Sequence, residues 1–171
     1  MRNLYLLRHA KSSWKDESLA DFERPLANRG KRACDTIGKF ILANEIEFDL
    51  VISSTAVRAR DTIDLVKQSA KLRAEIRYDE RIYEASVERL FELTSQIEND
   101  KKKVMLVGHN PGIEELLQAL SGVMQPFPTA AFAKINLKIS KWSESFEGKA
   151  NLEWLVTPKE LEKLHGEKVV R

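Results

Sequence analysis

Short strand-like runs, each followed by a break and a stretch of helical period, restrict this chain more than any other feature. The runs are Asn3-Leu4-Tyr5-Leu6-Leu7, Leu50-Val51-Ile52, the weaker Glu75–Tyr78, and Lys103-Val104-Met105-Leu106-Val107. An unbroken apolar run of this length reads as a strand buried on both faces. Between the runs, Asn28 is placed to cap a helix carrying Ala33, Ile37, Phe40 and Ile41 and ending near Asn44. Ser53-Ser54-Thr55 would cap a second helix, with Val57, Ile63 and Val66 as its apolar positions. Val87, Leu90, Phe91 and Leu93 to Ile97 mark a third. Pro111 suits the first position of a fourth, whose buried face is Ile113, Leu116, Leu117 and Leu120.

The tail changes character. Ala133, Ile135, Leu137 and Ile139 alternate with polar residues, and Leu152, Trp154 and Val156 alternate beyond a polar turn from Ser143 to Asn151, so a hairpin is expected. Pro158 to His165 reads as a short terminal helix. The whole pattern predicts an α/β fold: a three-layer α/β/α sandwich with a mostly parallel sheet and an antiparallel edge hairpin, in one domain over residues 1–171.

Net charge is +2, too mild to argue for nucleic acid or an acidic membrane surface as a partner. No apolar run is long enough to span a bilayer, and Met1-Arg2-Asn3 before a short strand is not a signal peptide, so the cytosol is the expected compartment. The single cysteine, Cys34, falls in a helical stretch and reads as a small packing residue, with no disulfide framework or cysteine-based metal site.

In open α/β sheets, ligands collect outside the carboxyl ends of the strands. Arg8 and His9 follow the first run, Arg58 lies in the first turn after the second, and His109 follows the fourth. Two guanidinium groups and two imidazoles without a carboxylate cluster would repel a metal cation and attract phosphate. Helix starts after Ser54 and Asn110 would add backbone donors of the right sign. Neutral imidazole is a fair nucleophile near pH 7. His9 is therefore expected to attack in line and carry the phosphoryl group, with Arg8, Arg58 and a protonated His109 neutralising the equatorial oxygens. No cofactor is called for.

Leu7-Arg8-His9, the segment Ser54-Thr55-Ala56-Val57-Arg58-Ala59-Arg60-Asp61-Thr62, and Gly108-His109-Asn110-Pro111 resemble the three signature segments of the histidine phosphatase superfamily, the phosphoglycerate-mutase-like fold. Within it, Arg8-His9-Ala10-Lys11-Ser12-Ser13-Trp14 and Asp21-Phe22-Glu23-Arg24-Pro25-Leu26-Ala27-Asn28-Arg29-Gly30 resemble the small SixA-type phosphohistidine phosphatases. The resemblance spans nearly the whole chain. It departs from the pattern at Ala10, where glycine often follows the Arg-His pair, and in the lack of a large inserted cap. The resemblance implies His9 as nucleophile, Arg8, Arg58 and His109 as the phosphate pocket, and Arg24 as a further phosphate or substrate contact. Larger members place a carboxylate after the third strand, which makes Glu84 the candidate proton donor.

A shallow pocket favours phosphate displayed on a protein, such as a phosphorelay domain, over a buried metabolite. The runner-up is a monoesterase for a small sugar or nucleotide phosphate, and a third reading is a non-catalytic phosphoprotein-binding module. A monomer is favoured. Plain alternatives stand beside the site residues. Arg24 would pair with Asp21 or Glu23, Lys11 would be solvated, Arg60 would be an exposed cation and His165 a surface histidine. Trp14 would form a lip on the pocket, Trp142 and Trp154 would pack with the hairpin, and Thr129 and Ala130 could offer the phosphate a backbone donor.

Overall fold

A computed structural model describes residues 1–144 and 150–164. The strands are β1 (Arg2–Arg8), β2 (Leu50–Ser53), β3 (Glu75–Tyr78), β4 (Lys103–Gly108), β5 (Phe132–Leu137) and β6 (Ala150–Val156). The helices are α1 (Asn28–Ala43), α2 (Val57–Ala70), α3 (Val87–Ser95), α4 (Gly112–Ser121) and α5 (Pro158–Lys163). One sheet has the order β3-β2-β4-β1-β5-β6. β3, β2, β4 and β1 run parallel, β5 adds antiparallel to β1's free side, and β6 pairs antiparallel with β5. This is the α/β architecture expected, a mostly parallel sheet finished by antiparallel edge strands.

The central strands are apolar throughout because both faces are covered. Leu4, Leu6, Ile52 and Leu106 meet Leu90, Leu93, Leu116 and Leu117 of α3 and α4. Tyr5, Leu7, Val51 and Met105 meet Ile37, Ile41, Ile63 and Val66 of α1 and α2. Successive side chains of a strand point to opposite faces, so one run feeds two cores. Each fully buried Leu or Ile contributes about 1.5–3 kcal/mol, and Leu4, Leu6 and Leu7 of β1 are of this kind.

Several local expectations shift. α1 starts at Asn28 itself, with Ala27 in the cap position, and α4 starts at Gly112, with Pro111 in the cap position after a cis Asn110–Pro111 bond. Ser53-Ser54-Thr55 does not cap α2. The cap position is Ala56, and the Ser54 hydroxyl accepts from its N–H at 3.2 Å. The expected common face of Leu152, Trp154 and Val156 is broken. Lys134 pairs with Trp154 but Ile135 with Leu152, so Glu153 is an extra residue in β6. A one-residue bulge reverses the alternation. Leu152 accordingly joins the α3/α4 side while Trp154 joins an aromatic cluster with Tyr5, Phe40 and Phe132 on the other. Trp142 is fully buried beside Arg2. Much of the polar turn (145–149) and His165 lie outside the described residues. Among the described residues no helix is long and apolar enough to cross a membrane.

One contact fixes the loop after β1. Gly30, in the first turn of α1, lies so close to Lys11 that a Cβ there would stand 2.2 Å from the Lys11 carbonyl oxygen. Backbone on backbone leaves no flexible end to yield, so Gly30→Ala is expected to lower stability by about 2 kcal/mol. Urea unfolding followed by far-UV circular dichroism measures it.

Candidate active site

Parallel register decides which residues meet. β1 and β4 pair residue for residue from Asn3↔Lys103 to Arg8↔Gly108, so His9 and His109 are the next residue on each strand. The His9 N–H donates to the Gly108 carbonyl at 3.0 Å, which carries the match one step past the sheet. The two rings lie 5.1 Å apart, centroid to centroid, and both are buried.

Arg58 arrives from the first turn of α2 and is buried beside them. Thr62, one helical turn on, ties that helix to the nucleophile's loop. Its hydroxyl donates to the Arg58 carbonyl at 2.6 Å and accepts from the Ala10 N–H at 3.0 Å. Arg8, the last residue of β1, donates to the Phe127 carbonyl at 3.1 Å.

His9 has a defined tautomer. Its Nδ1 lies 2.7 Å from the Ala10 carbonyl, which can only accept, so Nδ1 carries the hydrogen. The lone pair is left on Nε2. Burial first, and then Arg58, Arg8 and Arg24, push His9 down to about 4 against the one opposing contact at Ala10. It is an unprotonated imidazole at neutral pH.

His109 departs from expectation. Burial, then His9 and Arg58, push it down to about 3, so it is neutral and not the protonated partner that the sequence reading assigned. Its Nε2 lies 2.7 Å from the Ser54 hydroxyl, and its Nδ1 is buried without a partner. Fixed positive charge in the pocket comes from the arginines. A phosphoryl dianion set among these groups would raise both imidazoles again.

The sequence offered Asp21 only as a partner for Arg24 and gave Tyr83 no role, yet the two organise the rim. Asp21 sits in a 3-10 turn (Asp21–Glu23) and receives Arg58 twice, through its carbonyl at 2.7 Å and its carboxylate at 3.0 Å. The same carboxylate accepts from Arg24 at 3.1 Å and from the Tyr83 hydroxyl at 2.6 Å. The Tyr83 bond and then the two arginines hold Asp21 down to about 2, while burial and Asp21 push Tyr83 up to about 12. The Tyr83 ring stands edge-on to His109, 5.4 Å between centroids, and Phe22 packs on its other side.

The remaining candidates fall as follows. Arg24 is buried, and three of its five N–H donors have partners: besides Asp21 it donates to the Ser12 hydroxyl and the Ser13 carbonyl, and exposed Trp14 lies over its guanidinium. Its charge reaches His9, but the expected ion pair with Asp21 is what the structure contains. Asn110 spends its amide on the Phe127 carbonyl at 2.9 Å and on Glu114 at 3.0 Å. That leaves Oδ1, an acceptor unsuited to phosphate, so the Asn110 side chain braces the loop before β5. Ser54 is fully buried on His109 and is likewise not a free phosphate donor. The Ala130 N–H is taken by the Arg8 and His9 carbonyls, both at 3.1 Å. Glu84 follows Tyr83 with a left-handed backbone, φ 53°, and is exposed without an ion pair to the site's cations. Lys11 and Arg60 are exposed, Arg60 lying over Tyr78. Among the described residues no group of His, Cys, Asp and Glu is placed to hold a metal ion.

Comparison with known proteins places these residues in a family context. The model of the histidine phosphatase superfamily (branch 1) matches residues 4–106. An uncharacterized protein of Mycobacterium tuberculosis is 32% identical over 157 residues, covering 85% of this chain and 96% of its own. A crystal structure assigned as the phosphohistidine phosphatase SixA of Agrobacterium tumefaciens superposes with a TM-score of 0.79 at 29% identity, covering 92% of this chain and 98% of that one. One assigned the same way from Nakamurella multipartita gives 0.81 at 25%, covering 92% and 96%.

An imidazole whose folded pKa lies below its unfolded value of about 6.5 is protonated first in the unfolded chain. Stability therefore falls as pH drops below about 6.5 and goes on falling towards the folded values near 4 and 3. Each histidine adds a slope of at most about 1.4 kcal/mol per pH unit. Urea midpoints between pH 6.5 and 4 are expected to fall less steeply for His109→Gln than for the parent chain.

Proposed function

The chain belongs to branch 1 of the histidine phosphatase superfamily, and on that premise we propose that it is a metal-independent phosphatase acting on phosphohistidine in a protein through a phosphohistidine intermediate on His9. The observation that carries the reading is a neutral imidazole of fixed tautomer, 5.1 Å from a second imidazole, among buried arginines. Nε2 of His9 attacks phosphorus as the substrate's P–N bond breaks in line. The departing imidazole keeps the electron pair and takes a proton from water. The hydroxide left by that proton transfer then attacks phosphorus, the bond to Nε2 breaks, and inorganic phosphate leaves.

Arg8 and Arg58 offset charge on the equatorial oxygens, where one donor in a water-poor site is worth roughly 3 kcal/mol. With the Ser54 hydroxyl donating to His109 Nε2, the hydrogen rests on Nδ1, a buried nitrogen with no other partner. In this scheme His109 is a hydrogen-bond donor, whether or not the bound phosphoryl charge protonates it. Likeness to structures assigned as phosphohistidine phosphatases supports the choice of substrate. So does the leaving group, since an imidazole departing from a P–N bond needs far less protonation than an alkoxide. The cytosol is the compartment proposed for it.

His9→Ala is expected to abolish turnover of a phosphorylated phosphotransfer domain and of p-nitrophenyl phosphate alike. Brief reaction of the parent chain should leave acid-labile phosphate on His9, and residual activity in the variant would remove His9 as nucleophile. A chelator should leave the rate unchanged. Ser54→Ala is expected to lower kcat/KM about 10-fold, the worth of one lost hydrogen bond of about 1.4 kcal/mol. Glu84→Gln should slow an alkyl phosphate more than phosphohistidine, and equal loss on both would refute the leaving-group account.

A further inference from the structure

Around Lys11 lies a second concavity, a cleft of about 470 Å³ between the start of α1, the start of α5 and the Pro128–Thr129 loop. Among the described residues, Lys11, Arg29, Arg32 and Lys159 line it against one carboxylate, Glu162. The cleft therefore carries a formal +3 in a chain whose total is +2, and the remainder of the molecule is slightly acidic. All four cations are exposed, and none has an ion pair among the described residues.

Fold stability does not account for this clustering. α1 opens with Arg29, Lys31 and Arg32 and has no acidic residue in its first turn. A helix's amino end is its positive end, so these cations are placed where they oppose the helix. Nor is the cleft remote from the chemistry. Lys11 follows His9 by two residues, no more than about 7 Å of chain. The cleft walls are also fastened to the nucleophile's turn: the Ala27 N–H donates to the Lys11 carbonyl at 2.9 Å, and the Ala130 N–H to Arg8 and His9. A group held in the cleft and a phosphate held at His9 are within reach of one molecule.

We propose that this cleft is a second subsite that takes acidic side chains flanking the phosphorylated residue of a protein substrate. It rests on the phosphoprotein reading above and adds a sequence preference to it. Four solvated cations on long stems do not form a fixed cage for a second phosphate. Their reach suits carboxylates spread over several residues, and their field steers an acidic surface towards His9.

The test uses two pairs of synthetic peptides, one pair carrying phosphohistidine and the other phosphotyrosine, each with four Glu or four Gln beside the phosphoresidue. The parent chain is expected to favour the Glu flank at least about 10-fold in kcat/KM at low salt, with the preference fading as salt shortens the reach of charge to about 3 Å near 1 M. Arg29→Glu with Arg32→Glu should abolish the preference and leave p-nitrophenyl phosphate turnover within about two-fold. These substitutions put acids at the helix's positive end, so the melting temperature should hold or rise. Lys159→Glu, on α5, should weaken the preference independently. A Glu preference seen only on phosphotyrosine would sustain the cleft and sink the phosphohistidine reading. Equal rates on the two flanks, a preference untouched by the variants, or no turnover of any peptide would overturn the proposal.

Discussion

Everything at the site depends on the register between two neighbouring parallel strands. Arg8 stands opposite Gly108, and the pairing runs on through the His9 N–H to the Gly108 carbonyl. Two histidines 100 positions apart in the chain thus leave the sheet side by side. A slip of one residue would exchange every side chain of β1 between the two cores. Leu4 and Leu6 would turn towards α1 and α2, and Tyr5 would be driven into the α3/α4 side. The hydrophobic pattern that fixes the fold therefore also fixes the distance between the imidazoles.

The arginines do the electrostatic work that a charged histidine was expected to do. Both imidazoles are surrounded by cations and removed from water, and both effects favour the neutral form. Positive charge is left to guanidinium groups, which cannot shed it. Each role thus goes to a group unable to perform the other: His9 is a base with a lone pair at neutral pH, and Arg8 and Arg58 are permanent charges. Cations so close together need an opposing charge, and Asp21 supplies it through Arg24 and Arg58.

The strands and helices were legible because their apolar residues recur at intervals that only a covered parallel sheet accommodates. Arg8, His9, Arg58 and His109 were legible too, since a strand end or a helix's first turn sends its residue to a known edge. What the sequence hid was long-range and polar. Nothing near Asp21 announces that Arg58 and Tyr83 will close on it from 37 and 62 residues away. Ser54 and Asn110 have side chains that serve as well for bracing as for binding, and only the positions of His109 and Phe127 decide between them. The bulge at Glu153 was hidden for a related reason, because alternation in a sequence does not show where a strand gains a residue.

Asp21 also sets a threshold for what the pocket accepts. Both terminal nitrogens of Arg58 already rest on that residue, one on its carbonyl and one on its carboxylate. An incoming anion that takes the same fork gains only the excess of its own attraction over the one it displaces. A singly charged oxyanion gains little in that exchange, whereas a doubly charged phosphoryl group gains the additional charge. The internal carboxylate thus works as a standing competitor that screens out weak visitors, acetate or chloride for instance, before any chemistry begins.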